Sequence, residues 1–91
     1  MEQVKTNPLK CIYGNTVKLQ NTKTRVVELY ALVPPNQERL DKKHISNYTD
    51  VGQAIWGKME NDVVEIELPG KGKELFKILG VTSTGEERRQ L

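Results

Sequence analysis

The chain has 91 residues, enough for one domain with a thin core and too few for two. Fourteen basic against twelve acidic residues leave a net charge of +2, too near balance to point to nucleic-acid binding by itself. A single cysteine, Cys11, excludes an internal disulfide and suits a reducing compartment. No apolar run approaches the ~20 residues of a membrane helix, so the expected address is the cytoplasm.

Residues 1–12 read as a loose lead-in, polar and without a period. Gly14 opens a strand in which Val17 and Leu19 alternate with Lys18 and Gln20. Asn21-Thr22-Lys23-Thr24 is turn chemistry, and Arg25 to Val33 makes a second strand that completes a hairpin. Along it Val27, Leu29, Ala31 and Val33 point one way, and Val26, Glu28, Tyr30 and Leu32 the other. Pro34-Pro35 ends it, since neither residue can donate to a ladder. Asn36 to Lys43 is a polar loop carrying Arg39, Lys42 and Lys43.

The stretch from His44 to Lys58 reads as a short edge strand running straight into a helix with both ends marked. Thr49 can cap that helix for ~1 kcal/mol, and Asp50 follows where the helix dipole favours an anion. Val51, Ala54 and Ile55 form its apolar stripe, with Trp56 beside it, and Gly57 can take the left-handed conformation that closes it. So short a helix must pack against something, and the rest of the chain offers strands. Met59 to Asp62 is a turn in which Asn61 suits a positive φ. Asp62 to Leu68 is a strand with Val64, Ile66 and Leu68 inward and Glu65 and Glu67 outward. A loop from Pro69 to Lys73 then returns the chain along Glu74 to Val81, which sets Ile66 opposite Phe76, Val64 opposite Ile78 and Glu65 beside Lys77. Residues 13–82 are thus read as one α+β domain, an antiparallel sheet wrapped over one short helix, and residues 83–91 as a charged tail.

Catalytic apparatus is hard to find, and no catalytic, cofactor or metal residue is assigned. His44 is alone, only Lys10 stands near Cys11 to lower its pKa, and there is no cluster with metal-ligand spacing. Pro69-Gly70-Lys71-Gly72 is a hairpin tip, because a phosphate loop needs a helix after it. Lysines on both hairpins leave a weak, salt-sensitive DNA contact open, although Glu65, Glu67 and Glu74 interrupt any phosphate track. One Trp, three Tyr and one Phe, scattered, make no base-stacking platform. Trp56 is read as core, with an exposed interface anchor as the alternative.

Several pieces in order resemble the carboxy-terminal domain of the GreA/GreB transcript-cleavage factors. They are Gly14-Asn15-Thr16-Val17-Lys18-Leu19, Tyr30-Ala31-Leu32-Val33-Pro34, Gly52-Gln53-Ala54-Ile55-Trp56-Gly57-Lys58, Asn61-Asp62-Val63-Val64, Leu68-Pro69-Gly70 and Phe76-Lys77-Ile78-Leu79. The resemblance implies an FKBP-like fold that docks on the rim helices of the RNA polymerase secondary channel. In the family a separate coiled coil carries the acidic pair that holds a catalytic metal. Nothing here forms its heptads, so transcript cleavage is not expected. The family's docking segment, an Asp-Ser-Pro-like triplet entering the helix, falls on Tyr48, Thr49 and Asp50, with Ser46 and Gln53 beside it. Only Thr49 keeps the chemical type. The resemblance therefore implies a non-catalytic polymerase-binding domain that modulates elongation. The alternative is a general protein- or DNA-binding module of the same fold, and prolyl isomerisation is not expected, since Trp56 ends the helix rather than flooring a pocket at its start.

Overall fold

In the computed structural model, residues 9–83 are described, and the first eight residues of the expected lead-in and most of the expected tail lie outside them. The strands are β1 (Asn15–Asn21), β2 (Val27–Leu32), β3 (His44–Ile45), β4 (Val63–Leu68) and β5 (Gly72–Ser83), with helix α1 (Asp50–Ile55) between β3 and β4. They form one sheet in the order β3-β2-β1-β5-β4. α1 packs against β4.

The first hairpin closes through a side chain. Asn21 is buried, and its Oδ1 accepts from Lys23 N at 2.8 Å and Thr24 N at 3.1 Å, while its Nδ2 donates to Glu74 of β5 at 2.7 Å. Arg25 sits at φ 69, a left-handed conformation that no strand tolerates, so β2 begins at Val27 rather than at Arg25. Of its two faces, Tyr30 and Leu32 turn inward, while Val27 and Leu29 are exposed.

Two expectations about pairing are corrected. The sheet is mixed, because β3 lies parallel to β2, Ala31 facing His44 and Leu32 facing Ile45. The two prolines stop β2 from turning straight back, and two short 3-10 turns (Pro35–Gln37 and Leu40–Lys42) carry the chain round to re-enter in the same direction. The second hairpin is tighter than expected. Lys71 N donates to Leu68 O at 3.0 Å across Pro69-Gly70, with Gly70 at φ 76 as a type II turn requires. Leu68 therefore faces Gly72, Ile66 faces Glu74 and Val64 faces Phe76. Glu65 stands opposite Leu75 rather than Lys77, and Glu67 opposite Lys73.

The core is Cys11, Val17, Leu19, Leu32, Ile45, Ile55, Val64, Ile66 and Ile78. A register shift between Lys18 and Leu19 lets β5 place both Val81 and Ile78, three residues apart, opposite inward residues of β1. Cys11 corrects the lead-in. Its N–H donates to Lys58 O at 2.8 Å and its carbonyl accepts from Gly57 N at 2.9 Å, so it clamps the far end of α1. Burial, and secondarily the Asp62 carboxylate, push its thiol pKa up to about 11. Trp56 follows the helix rather than belonging to it and is half-buried, its ring edge-on to Tyr13 with centroids 4.7 Å apart.

Candidate docking surface

The turn entering α1 is built around Ser46. Its hydroxyl donates to Glu38 and accepts from Tyr48 N, and its carbonyl accepts from Thr49 N at 3.2 Å and from Thr49 Oγ1 at 2.8 Å. Thr49 Oγ1 in turn accepts from Gly52 N at 3.0 Å, the cap expected from the sequence. Gly52 is required here, because a Cβ on it would lie 2.0 Å from Ser46 O. On the other side Tyr13 donates to Asn47 Oδ1 at 2.6 Å, tying the turn to the ring that packs on Trp56.

This network divides the five residues singled out from the sequence. Ser46 is 0% exposed; it holds the corner. Thr49 is half-buried and caps. Tyr48 is 79% exposed, and Asp50 and Gln53 also face solvent. Sequence reasoning missed Glu38, which reaches Ser46 from the loop after β2, and no local pattern signals a contact across that distance. It also did not connect Glu65 and Glu67 with the helix. Asp50, Gln53 and Ala54 of α1 and Glu65, Ile66 and Glu67 of β4 line one trough of about 240 Å³. Asp50, Glu65 and Glu67 make no ion pair among the described residues.

A larger cavity, about 360 Å³, lies on the concave side, lined in part by Tyr30, Val51, Ile66, Leu68 and Phe76. At its rim Lys43 Nζ sits 2.9 Å from Glu28 Oε1 and 5.7 Å from the Tyr30 ring centroid. The bond to Glu28 and its charge raise the Lys43 pKa, and burial, then the Glu28 charge, raises that of Tyr30. Trp56 does not line this cavity. Among the described residues no group of three or more His, Cys, Asp or Glu could hold a metal, and no helix is long and apolar enough to cross a membrane.

Residues 9–83 match the family described as "Transcription elongation factor, GreA/GreB, C-term". The chain belongs to the GreA/GreB carboxy-terminal domain family. Curated GreA relatives include those of Desulfovibrio desulfuricans, 33% identical over 78 residues, and Pelagibacter ubique, 37% identical over 76. These matches cover 86% and 84% of this chain and 48% of each relative. The chain thus spans about half the length of the curated GreA proteins it matches. Among solved structures, the GreA/GreB factor from Nitrosomonas europaea superposes with a TM-score of 0.72 at 26% identity, covering 86% of this chain and 64% of that one. Thermus thermophilus Gfh1, a GreA factor homologue, gives 0.70 at 22% identity, covering 89% and 53%, a likeness of fold. The GreA/GreB likeness thus runs through the whole described sheet and its helix.

Proposed function

We propose that this GreA/GreB-type domain binds RNA polymerase on the rim helices of its secondary channel, through Tyr48, Asp50 and Gln53, and modulates elongation without catalysing a reaction. The observation that carries the reading is the exposure of an aromatic ring and a carboxylate on a corner held by the part-buried Ser46–Glu38 and Thr49–Gly52 bonds. A rigid corner loses little freedom on binding, and a projecting tyrosine is a common interface anchor. The carboxylates of Asp50, Glu65 and Glu67, without an ion pair among the described residues, favour a partner surface rich in Lys and Arg. Ser46 and Thr49 act through this geometry, not by contact. Residues 13–82 are the unit proposed to dock, in the cytoplasm where polymerase works.

Retention of core RNA polymerase on the immobilised chain tests this. Tyr48→Ala and Asp50→Lys are each expected to weaken retention by about tenfold, the loss of one anchor of ~1–2 kcal/mol. No retention by the unaltered chain would defeat the function, and unchanged retention by both variants would defeat the site. Salt-dependent binding to plain duplex DNA, without polymerase, would favour the general DNA-binding alternative instead.

A further inference from the structure

β4 is the last strand of the sheet, and among the described residues one of its edges is unpaired. Which backbone groups face outward follows from the ladder. Ile78 N donates to Asp62 O at 2.9 Å, which makes that pair a hydrogen-bonded one. The antiparallel register then alternates, so Val64, Ile66 and Leu68 turn their N–H and C=O toward β5. Val63, Glu65 and Glu67 turn theirs away, and among the described residues no backbone group receives them. The trough beside this edge is walled by α1, whose Ala54 is small, and is rimmed by the carboxylates of Asp50, Glu65 and Glu67.

We propose that the free edge of β4, with the neighbouring face of α1, takes an extended basic segment of another protein as a sixth strand. On an added strand alternate side chains fall on opposite faces. Those on the outer face stand across from Glu65 and Glu67, where Lys or Arg is favoured and Asp or Glu opposed. Those on the inner face enter the trough between Ile66 and Ala54, which admits small side chains. The preferred ligand thus alternates basic and small residues. Charge also disfavours one rival, a second copy of this chain. Antiparallel pairing of two β4 edges would set Glu65 and Glu67 against their own copies, and like charges directly opposite are unfavourable. Acidic residues on an edge guard against self-pairing, but they do not repel a basic strand. This inference does not rest on the polymerase reading. The two surfaces share Asp50, Gln53 and the carboxylates of Glu65 and Glu67, while Tyr48 belongs to the first alone and the β4 backbone to the second.

The probe is a ten-residue peptide of alternating Lys and Thr, blocked at both ends, titrated into the chain and followed by backbone amide NMR. Saturable shifts and slowed hydrogen exchange at the Glu65 and Glu67 amides are expected, with Tyr48→Ala binding unchanged. The Glu65→Gln, Glu67→Gln double variant, altered only at exposed positions, should weaken binding roughly three- to tenfold. Two further peptides, N-methylated at every Lys or at every Thr, isolate the backbone contribution. One set presents its blocked amides to β4 and should fail to bind, while the other should bind like the parent. Equal binding by both methylated peptides, binding by an alternating Glu-Thr peptide as tight as by the Lys-Thr one, or no saturable shift up to about 1 mM would overturn the proposal.

Discussion

Gly52→Ala is the sharpest test of how the corner is built. In most helices this substitution stabilises by ~1 kcal/mol, because alanine has the higher helix propensity. Here the added methyl would sit 2.0 Å from Ser46 O, 2.9 Å from Ser46 C and 2.9 Å from Thr49 Oγ1. Two of those atoms are backbone, so no side-chain rotation relieves the contact. The carbonyl must retreat by more than about an ångström to reach ordinary contact distance. It would carry with it the bonds from Thr49 N and Thr49 Oγ1 and draw the cap away from Gly52 N. Forcing a methyl into a packed site costs ~1–3 kcal/mol, a hydrogen bond ~1 and a cap ~1. Against the propensity gain, the net is a loss of about 2–4 kcal/mol. For a domain of this size that lowers the melting temperature by roughly 10–25 °C. Urea unfolding followed by Trp56 fluorescence measures it, with Thr49→Ala, expected to cost only ~1 kcal/mol, as the graded control. A Gly52→Ala midpoint equal to or above that of the unaltered chain would refute the close approach and the rigidity argued for the docking corner.

Asn21→Ala removes two bonds that close the first hairpin and one that reaches β5, and should lower stability by about 2–3 kcal/mol, read from denaturant midpoints. The Cys11 thiol sits in the core with its pKa raised to about 11, so in the folded chain it should resist alkylation at pH 8 and react on unfolding. The same shift has a thermodynamic sign. The unfolded thiol ionises near 9.0 while the folded one keeps its proton to about 11, so stability present below pH 9 is lost as pH rises through that window. The loss amounts to about 2–3 kcal/mol, and Cys11→Ala should abolish that part of the slope. A slope unchanged in the variant would show that other groups carry it.

What could be read from the residues was what neighbours along the chain decide. Thr49 caps α1 because its hydroxyl reaches an N–H three positions on, and Gly57 takes φ 79 just beyond the helix, as a glycine there is free to do. The inward set Val64, Ile66 and Ile78 was legible because the side-chain period of a strand is two. That same period hides the register. Sliding β4 by two residues against β5 leaves every side chain on its own face, so the alternation looks identical while Glu65 exchanges Lys77 for Leu75. Only the Pro69-Gly70 turn geometry chooses between the two. Likewise both faces of β2 carry apolar residues, and it is the core cluster gathered on one side that buries Leu32, partly covers Tyr30 and leaves Val27 and Leu29 in water. Contacts between residues far apart in the chain decided the rest. Glu38 meeting Ser46, Cys11 clamping Gly57 and Lys58, and Glu65 and Glu67 joining Asp50 at one trough depend on where the folded chain returns, which no local propensity encodes.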